Sequence, residues 1–293
     1  MTTVDIASSP PVRVARARAA NAFRAILWRD VYVTVKEFWI LLIQVALAPL
    51  FMLFIFAKVL NHAGYVSSSY GHLLLPGIIA LSAFLTALQS VAFPLVMEFG
   101  WTKEIEDRLL APLPTDLVTV EKLVIATLRG LIAAIIMYPV GALVLGSAPW
   151  RPSGLPLLLV IVLLGAWVGA GIGITIGTLV APARISIMFG LILTPLMFTG
   201  ATQYPWPTLT SLRWFQVITA INPLTYCAEG VRAAMVPDVP HIHPWICILA
   251  LLAAAATFTT TGMLSFRARS ICCSLVCGRN SCSGGSRKRI VAG

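Results

Sequence analysis

The sequence predicts an all-α membrane protein with six transmembrane helices, an N-terminal amphipathic interfacial helix and re-entrant external helices before the last span. Three observations carry this. Of 293 residues 58% are hydrophobic and only 11% charged, where a soluble domain carries about 25% charged residues. The apolar residues gather into runs near or above the roughly 20 residues that cross a bilayer as a helix. The runs are separated by short polar segments, so lipid is the solvent for most of the chain.

Residues 1–20 read as a disordered basic arm rich in Ala, Ser, Pro and Arg. In 21–37, Phe23, Ile26, Leu27, Val31 and Val35 fall near helical spacing with Arg24, Arg29 and Lys36 among them, the pattern of a helix lying on the membrane surface. The six-span transmembrane domain is expected over 38–268. Its first span covers 38–60, with Pro49 inside and Lys58 near the end. The first apolar run starts too far in and is too long for a signal-peptide core, so no cleavable signal is expected. A polar loop, NHAGYVSSSYGH, leads to a second span over 73–97. The charged segment 98–116 follows, then a third span over 118–145 whose first turns, with Glu121, Lys122 and Arg129, belong at the interface. The fourth span covers 155–180, the turn APAR follows, and the fifth covers 185–200, short for a full crossing. Residues 201–243 are rich in Pro and Trp. They read as short helices dipping into the outer leaflet beneath an aromatic belt. The sixth span covers 245–266, and 269–293 is a basic, Cys- and Ser-rich cytoplasmic tail.

Six spans with the N-terminus in the cytoplasm put seventeen of the 21 Lys and Arg inside and only Lys58, Arg151, Arg213 and Arg232 outside. This is the bias expected of a membrane protein oriented by its loop charges. The location implied is the cell membrane with both termini cytoplasmic. The net charge of +10 sits in the arm and the tail, as topology signals and contacts to anionic membrane lipids, and nucleic acid is not an expected partner.

Four features could carry mechanism. In 98–116, Glu98, Lys103, Glu104, Glu106, Asp107 and Arg108 alternate in sign and are followed by Leu109, Leu110, Pro112 and Pro114. A short helix of this kind either docks into a groove on a soluble partner or is a solvated loop. In the fourth span Gly165, Gly169, Gly173 and Gly177 recur every four residues. That spacing leaves a smooth strip where another helix backbone can approach, within the bundle or along a moving surface. In the external segment Asn222-Pro223 is a helix-start signal, and Glu229 and Arg232 can pair at i, i+3. Finally, Gln89, Met188, Phe189, Thr194, Met197 and Phe198 offer a soft surface suited to greasy, variable substrates, or else face lipid.

Several chemistries are missing. No phosphate loop of the G-x-x-x-x-G-K-[ST] type, no H-E-x-x-H metal spacing and no G-x-S-x-G elbow is present. The tail cysteines Cys272, Cys273, Cys277 and Cys282 lack paired zinc spacing, and no metal is expected. Acidic residues are scarce in the spans, which argues against a proton relay.

These residues resemble the type-2 ABC exporter permeases, the membrane subunits of daunorubicin-resistance and nodulation-type lipooligosaccharide exporters. Glu98, Gly100, Glu104, Leu109, Leu110 and Pro112 are similar to that family's cytoplasmic coupling segment, although Trp101 interrupts its usual Gly-Thr pair. FTGATQYPWP resembles the pattern after the fifth span. INPLTYCAEGVR, with Asn222, Pro223, Tyr226, Glu229 and Arg232, resembles the external Asn-Pro-Leu-Thr-Tyr signature. The likeness covers about 20–268. It implies a subunit that pairs with a second permease, itself or a sibling, and binds two copies of a separate ATPase subunit. The 98–116 segment, Arg108 included, would couple it to that ATPase. No cofactor is expected in this chain; ATP and Mg would sit on the partner. The implied activity is ATP-driven export of an amphipathic or hydrophobic substrate, drug or lipid-like. Polysaccharide or lipooligosaccharide export, and membrane assembly without transport, stay open as rivals.

Overall fold

The computed structural model describes residues 49–65, 70–98, 115–146 and 151–281, together with Trp28, Arg29, Tyr32, Thr34, Lys36 and Leu47. Among these every regular element is helical, the outcome lipid demands of a chain that must satisfy its backbone groups within each segment. The elements are α1 (Pro49–His62), α2 (Tyr70–Met97), α3 (Thr115–Leu145), α4 (Leu155–Leu179), α5 (Ile185–Thr199), α6 (Arg213–Ile221), α7 (Pro223–Met235) and α8 (Pro244–Ser281). Short 3-10 turns precede α4, α5 and α6, at Pro152–Gly154, Pro182–Arg184 and Trp206–Ser211.

Four helices, α2, α3, α4 and α8, are long and apolar enough to cross a membrane, while α1 and α5 are shorter apolar helices. Pro76 and Pro94 lie inside α2 and Pro139 inside α3. A π turn occupies Ile55–Val59 of α1. The expected polar loop before the second span is shorter than its sequence suggests: α1 runs to His62 and α2 begins at Tyr70, so His72 is helical. Gly146 closes α3 at φ +75° and donates to Ala142 O at 2.9 Å, the left-handed ending glycine adopts at least cost. α8 continues beyond the expected end at 266 to Ser281, since 267–277 contains neither Pro nor Gly to stop it.

The core is built around α2 and α4, the most enclosed of the long helices; α8 is the least enclosed. Because lipid tails are as apolar as Leu, such helices associate through close packing rather than hydrophobic collapse. The glycines of α4 provide it. A methyl group at Gly169 or Gly173 would collide with the carbonyl oxygens of Phe84 or Leu88 on α2, and one at Gly177 would press on Leu95. A methyl at Gly165 would meet Cys227 of α7, and at Gly171 Phe258 of α8. Hydroxyls inside these helices turn back on their own backbone. Thr127 donates to Leu123 O at 2.7 Å, and Thr175 to Gly171 O at 3.0 Å. Such bonds satisfy a hydroxyl without a partner from another helix.

Polar contacts sort the bundle into two ends. At one end Lys122 pairs with Glu98 at 2.9 Å, Arg267 pairs with Asp116, and Arg269 donates to the carbonyls of Thr178 and Val180. At the other, Tyr70 donates to Gln203 O at 2.9 Å, and Gly154 lies against the Ala234 carbonyl. Of the N-terminal helix expected over 21–37, the described residues are helical, and Trp28 and Tyr32 are exposed one turn apart. Thr34 is buried where Arg129 Nε donates to its hydroxyl at 3.0 Å.

Candidate functional site

At the end marked by Tyr70 and Gly154, the chain between α5 and α8 folds back as a helical hairpin. The run Asn-Pro-Leu-Thr-Tyr closes it, one residue at a time. Asn222 caps α7, its Oδ1 accepting from Leu224 N at 3.0 Å, which satisfies an orphan donor of the first turn. Its Nδ2 donates to Leu196 O at 2.8 Å and to Thr199 Oγ1 at 2.9 Å, tying the hairpin to the end of α5. Pro223 takes the first helical position, where its missing N–H is not needed. Leu224 is buried against Gly200. Thr225 donates to Thr219 O at 2.6 Å, and Tyr226 to Ala220 O at 2.8 Å. Both bonds pull α6 back onto α7.

One turn further on, Glu229 and Arg232 form a fully buried ion pair. The Glu229 carboxylate also accepts from the backbone of Trp206 at 2.9 Å and of Ile242 at 3.0 Å. Arg232 donates to Ala201 O at 3.1 Å. A single pair thus joins the loop after α5, α7 itself and the loop before α8. Burying two charges is unfavourable unless further hydrogen bonds satisfy them; here three backbone groups supply such bonds, and only Arg232 Nε of the pair has no partner among the described residues. Ala201 is held at φ +49°, and the next residue crosses α2 at Gly77, where any side chain would collide with the Thr202 backbone. Trp206 Nε1 donates to Gln216 O at 3.1 Å. The opposite face of α6 presents Trp214, Val217, Ile218 and Ile221 to the exterior, an exposed apolar stripe at helical spacing.

The other sequence candidates that are described take differing surroundings. Of the coupling residues, Glu98 is described and pairs with Lys122; Gly100, Glu104, Arg108, Leu109, Leu110 and Pro112 lie outside the described residues. So do the arm over 1–20 and Cys282. Phe189 is buried and stacks on Phe93 with centroids 4.2 Å apart. Met188 and Met197 pack at the edge of the core, Gln89 is half-buried, Thr194 is exposed, and Phe198 is 57% exposed. None of the six lines the bundle's large apolar groove, of about 710 Å3 between α3, α4 and the end of α7. That groove had no sequence signal, because four separated segments build it. Among the described residues no three His, Cys, Asp or Glu side chains come together as metal ligands.

The sequence of the ABC-2 type transporter family matches residues 21–236, from the N-terminal amphipathic segment through the last turn of α7. The chain belongs to the ABC-2 type transporter family. It is also similar to ycf38 of Porphyra purpurea, a protein named as a transport permease, with 28% identity over 174 residues. That match covers 57% of this chain and 56% of the relative, so the chain spans little more than half of the protein it matches. Family membership and the apolar helices together make this a multi-pass membrane protein.

Proposed function

We propose that this chain is the membrane-spanning subunit of an ATP-driven exporter. It moves an amphipathic or hydrophobic substrate, drug or lipid-like, out of the cytoplasm or inner leaflet. The observation that carries the reading is the family match over 21–236, which takes in the N-terminal segment, the 98–116 loop and the hairpin. Power comes from a separate ATPase subunit in two copies, which hold the ATP and Mg, and a second permease subunit completes the pathway. The chain itself is not the enzyme.

In this scheme the chain crosses the membrane six times, with α1 and α5 as the two short crossings and both termini in the cytoplasm. The Lys122, Arg267 and Arg269 end is then cytoplasmic, in keeping with the excess of Lys and Arg assigned there. The hairpin α6–α7 lies at the external surface, its exposed Trp214–Ile221 stripe (residues 214, 217, 218 and 221) seated in the outer leaflet. The charged 98–116 segment contacts the ATPase through Glu104, Arg108 and Leu109.

Co-purification tests the coupling. Extracted in mild detergent from its native host, the chain brings an ATPase subunit with it, and substituting Glu104 and Leu109 together abolishes ATP-driven efflux in vesicles. Efflux that survives the double substitution, or a chain that purifies without any ATPase, overturns the reading.

A further inference from the structure

Beside the hairpin, the groove of about 710 Å3 opens on the flank of the bundle. Its inner wall is Ile79 of α2 and Val162 of α4, both buried. Its rim is Ile135 of α3 and Leu159 of α4, 64% and 57% exposed, and Met235 at the end of α7 closes one side. Leu155 to Val162 spans about 10 Å along the α4 axis. The groove therefore fits inside one half of a hydrocarbon core about 30 Å thick.

Its polar content is small and placed at one end. Arg151 stands just before α4, exposed, on the lining of the groove. Arg151 Nε donates to Ser153 Oγ at 3.0 Å; among the described residues no carboxylate pairs with this guanidinium, and no acidic side chain lines the groove. An apolar slot of one leaflet's depth, open along its length to lipid and carrying an unneutralised guanidinium at its membrane-surface end, matches an amphiphile with one anionic head. Guanidinium favours phosphate through paired hydrogen bonds. A zwitterionic headgroup brings its own ammonium to the phosphate, whereas an anionic one leaves the charge for Arg151.

We propose that this groove is a binding site for an anionic phospholipid, one acyl chain lying between α3 and α4 and the phosphate on Arg151. The occupant would touch both α4 and the end of α7, and so brace the hairpin against the bundle. The site does not depend on the transport reading.

The test uses the full chain in nanodiscs of equal phosphatidylglycerol and phosphatidylcholine, with retained lipids counted by native mass spectrometry. The wild-type chain retains phosphatidylglycerol in several-fold excess over phosphatidylcholine. Arg151→Gln brings the ratio to that of the nanodisc. Leu159→Trp fills the groove from its exposed rim and lowers retention of both lipids, and Ile135→Trp repeats the test from the opposite wall. An unchanged ratio in Arg151→Gln overturns the proposal, as does full lipid retention in both tryptophan variants. Dissociation of a dimer in those variants with lipid retention unchanged also overturns it and assigns the groove to a second copy of the chain.

Discussion

The two ends of this bundle are held by different physics. At the hairpin end the ties are buried: Glu229 and Arg232 exclude solvent entirely and bind three backbone groups besides each other. At the opposite end one tie lies near water: Arg267 and Asp116 pair with side chains 53% and 38% exposed, whereas Lys122 and Glu98, paired at the end of α2, are largely buried. Exposed ion pairs contribute little because water and salt screen them and long side chains must be ordered to make them. Buried pairs fix one arrangement, and losing one partner leaves the other charge stranded. The hairpin end is thus built to keep a single geometry, while at the end proposed to meet the ATPase the exposed Arg267–Asp116 tie can exchange partners at small cost. In the proposed orientation, motion driven from the ATPase end would then be transmitted to a rigid cap at the other.

Removing the Glu229 carboxylate tests this contrast most severely. Glu229→Ala leaves Arg232 buried without its counter-charge and frees the N–H groups of Trp206 and Ile242. The expected loss is about 3–5 kcal/mol, read as a large drop in the thermal unfolding midpoint in detergent. Glu229→Gln combined with Arg232→Met should recover part of it, since no buried charge remains. A small effect of Glu229→Ala would mean that the cap is not held by this pair.

Next in size is the packing that joins the two ends. Gly173→Ala places a methyl on the Leu88 carbonyl and must push α2 from α4, an overpacking cost of about 1–3 kcal/mol. Gly190→Ala in α5 has nothing within 4 Å of the added methyl and serves as the control, with a slight gain expected from helix propensity. Equal midpoints for the two variants would remove the α2–α4 contact as the axis of the bundle.

Much of this architecture was legible in the sequence. The long spans showed as apolar runs, and the start of α7 showed as Asn222-Pro223, because both signals are local. The i, i+3 spacing of Glu229 and Arg232 announced their pairing. Their partners at Ala201, Trp206 and Ile242 did not show, since backbone groups carry no sequence mark. The 61–72 loop was read too long because Tyr70 and His72 are polar enough to look like loop residues, yet they continue the α2 helix. The last helix was read as ending at 266, where the apolar run gives way to the basic tail, although no helix-breaker precedes Gly278. Met188, Phe189, Met197 and Phe198 share chemistry but not a surface. One apolar residue type serves equally in a core, on a lipid face or in a pathway, so type alone could not place them.

The smallest expected effect is the one most specific to the contrast between the ends. Asp116→Asn removes the carboxylate charge that pairs with Arg267, and the unfolding midpoint should stay where it is, because the pair is exposed. The consequence belongs to the balance of conformations. If the end proposed to face the cytoplasm exchanges partners during a cycle, weakening the α3–α8 tie changes how readily that end opens while the folded state stays as stable as before. A cysteine-crosslinking measurement between α3 and α8 at that end, with and without ATP in the assembled complex, should therefore respond to Asp116→Asn, whereas the same measurement across the hairpin should not. A midpoint that falls as far as it does for Glu229→Ala would show that the two ends are held alike.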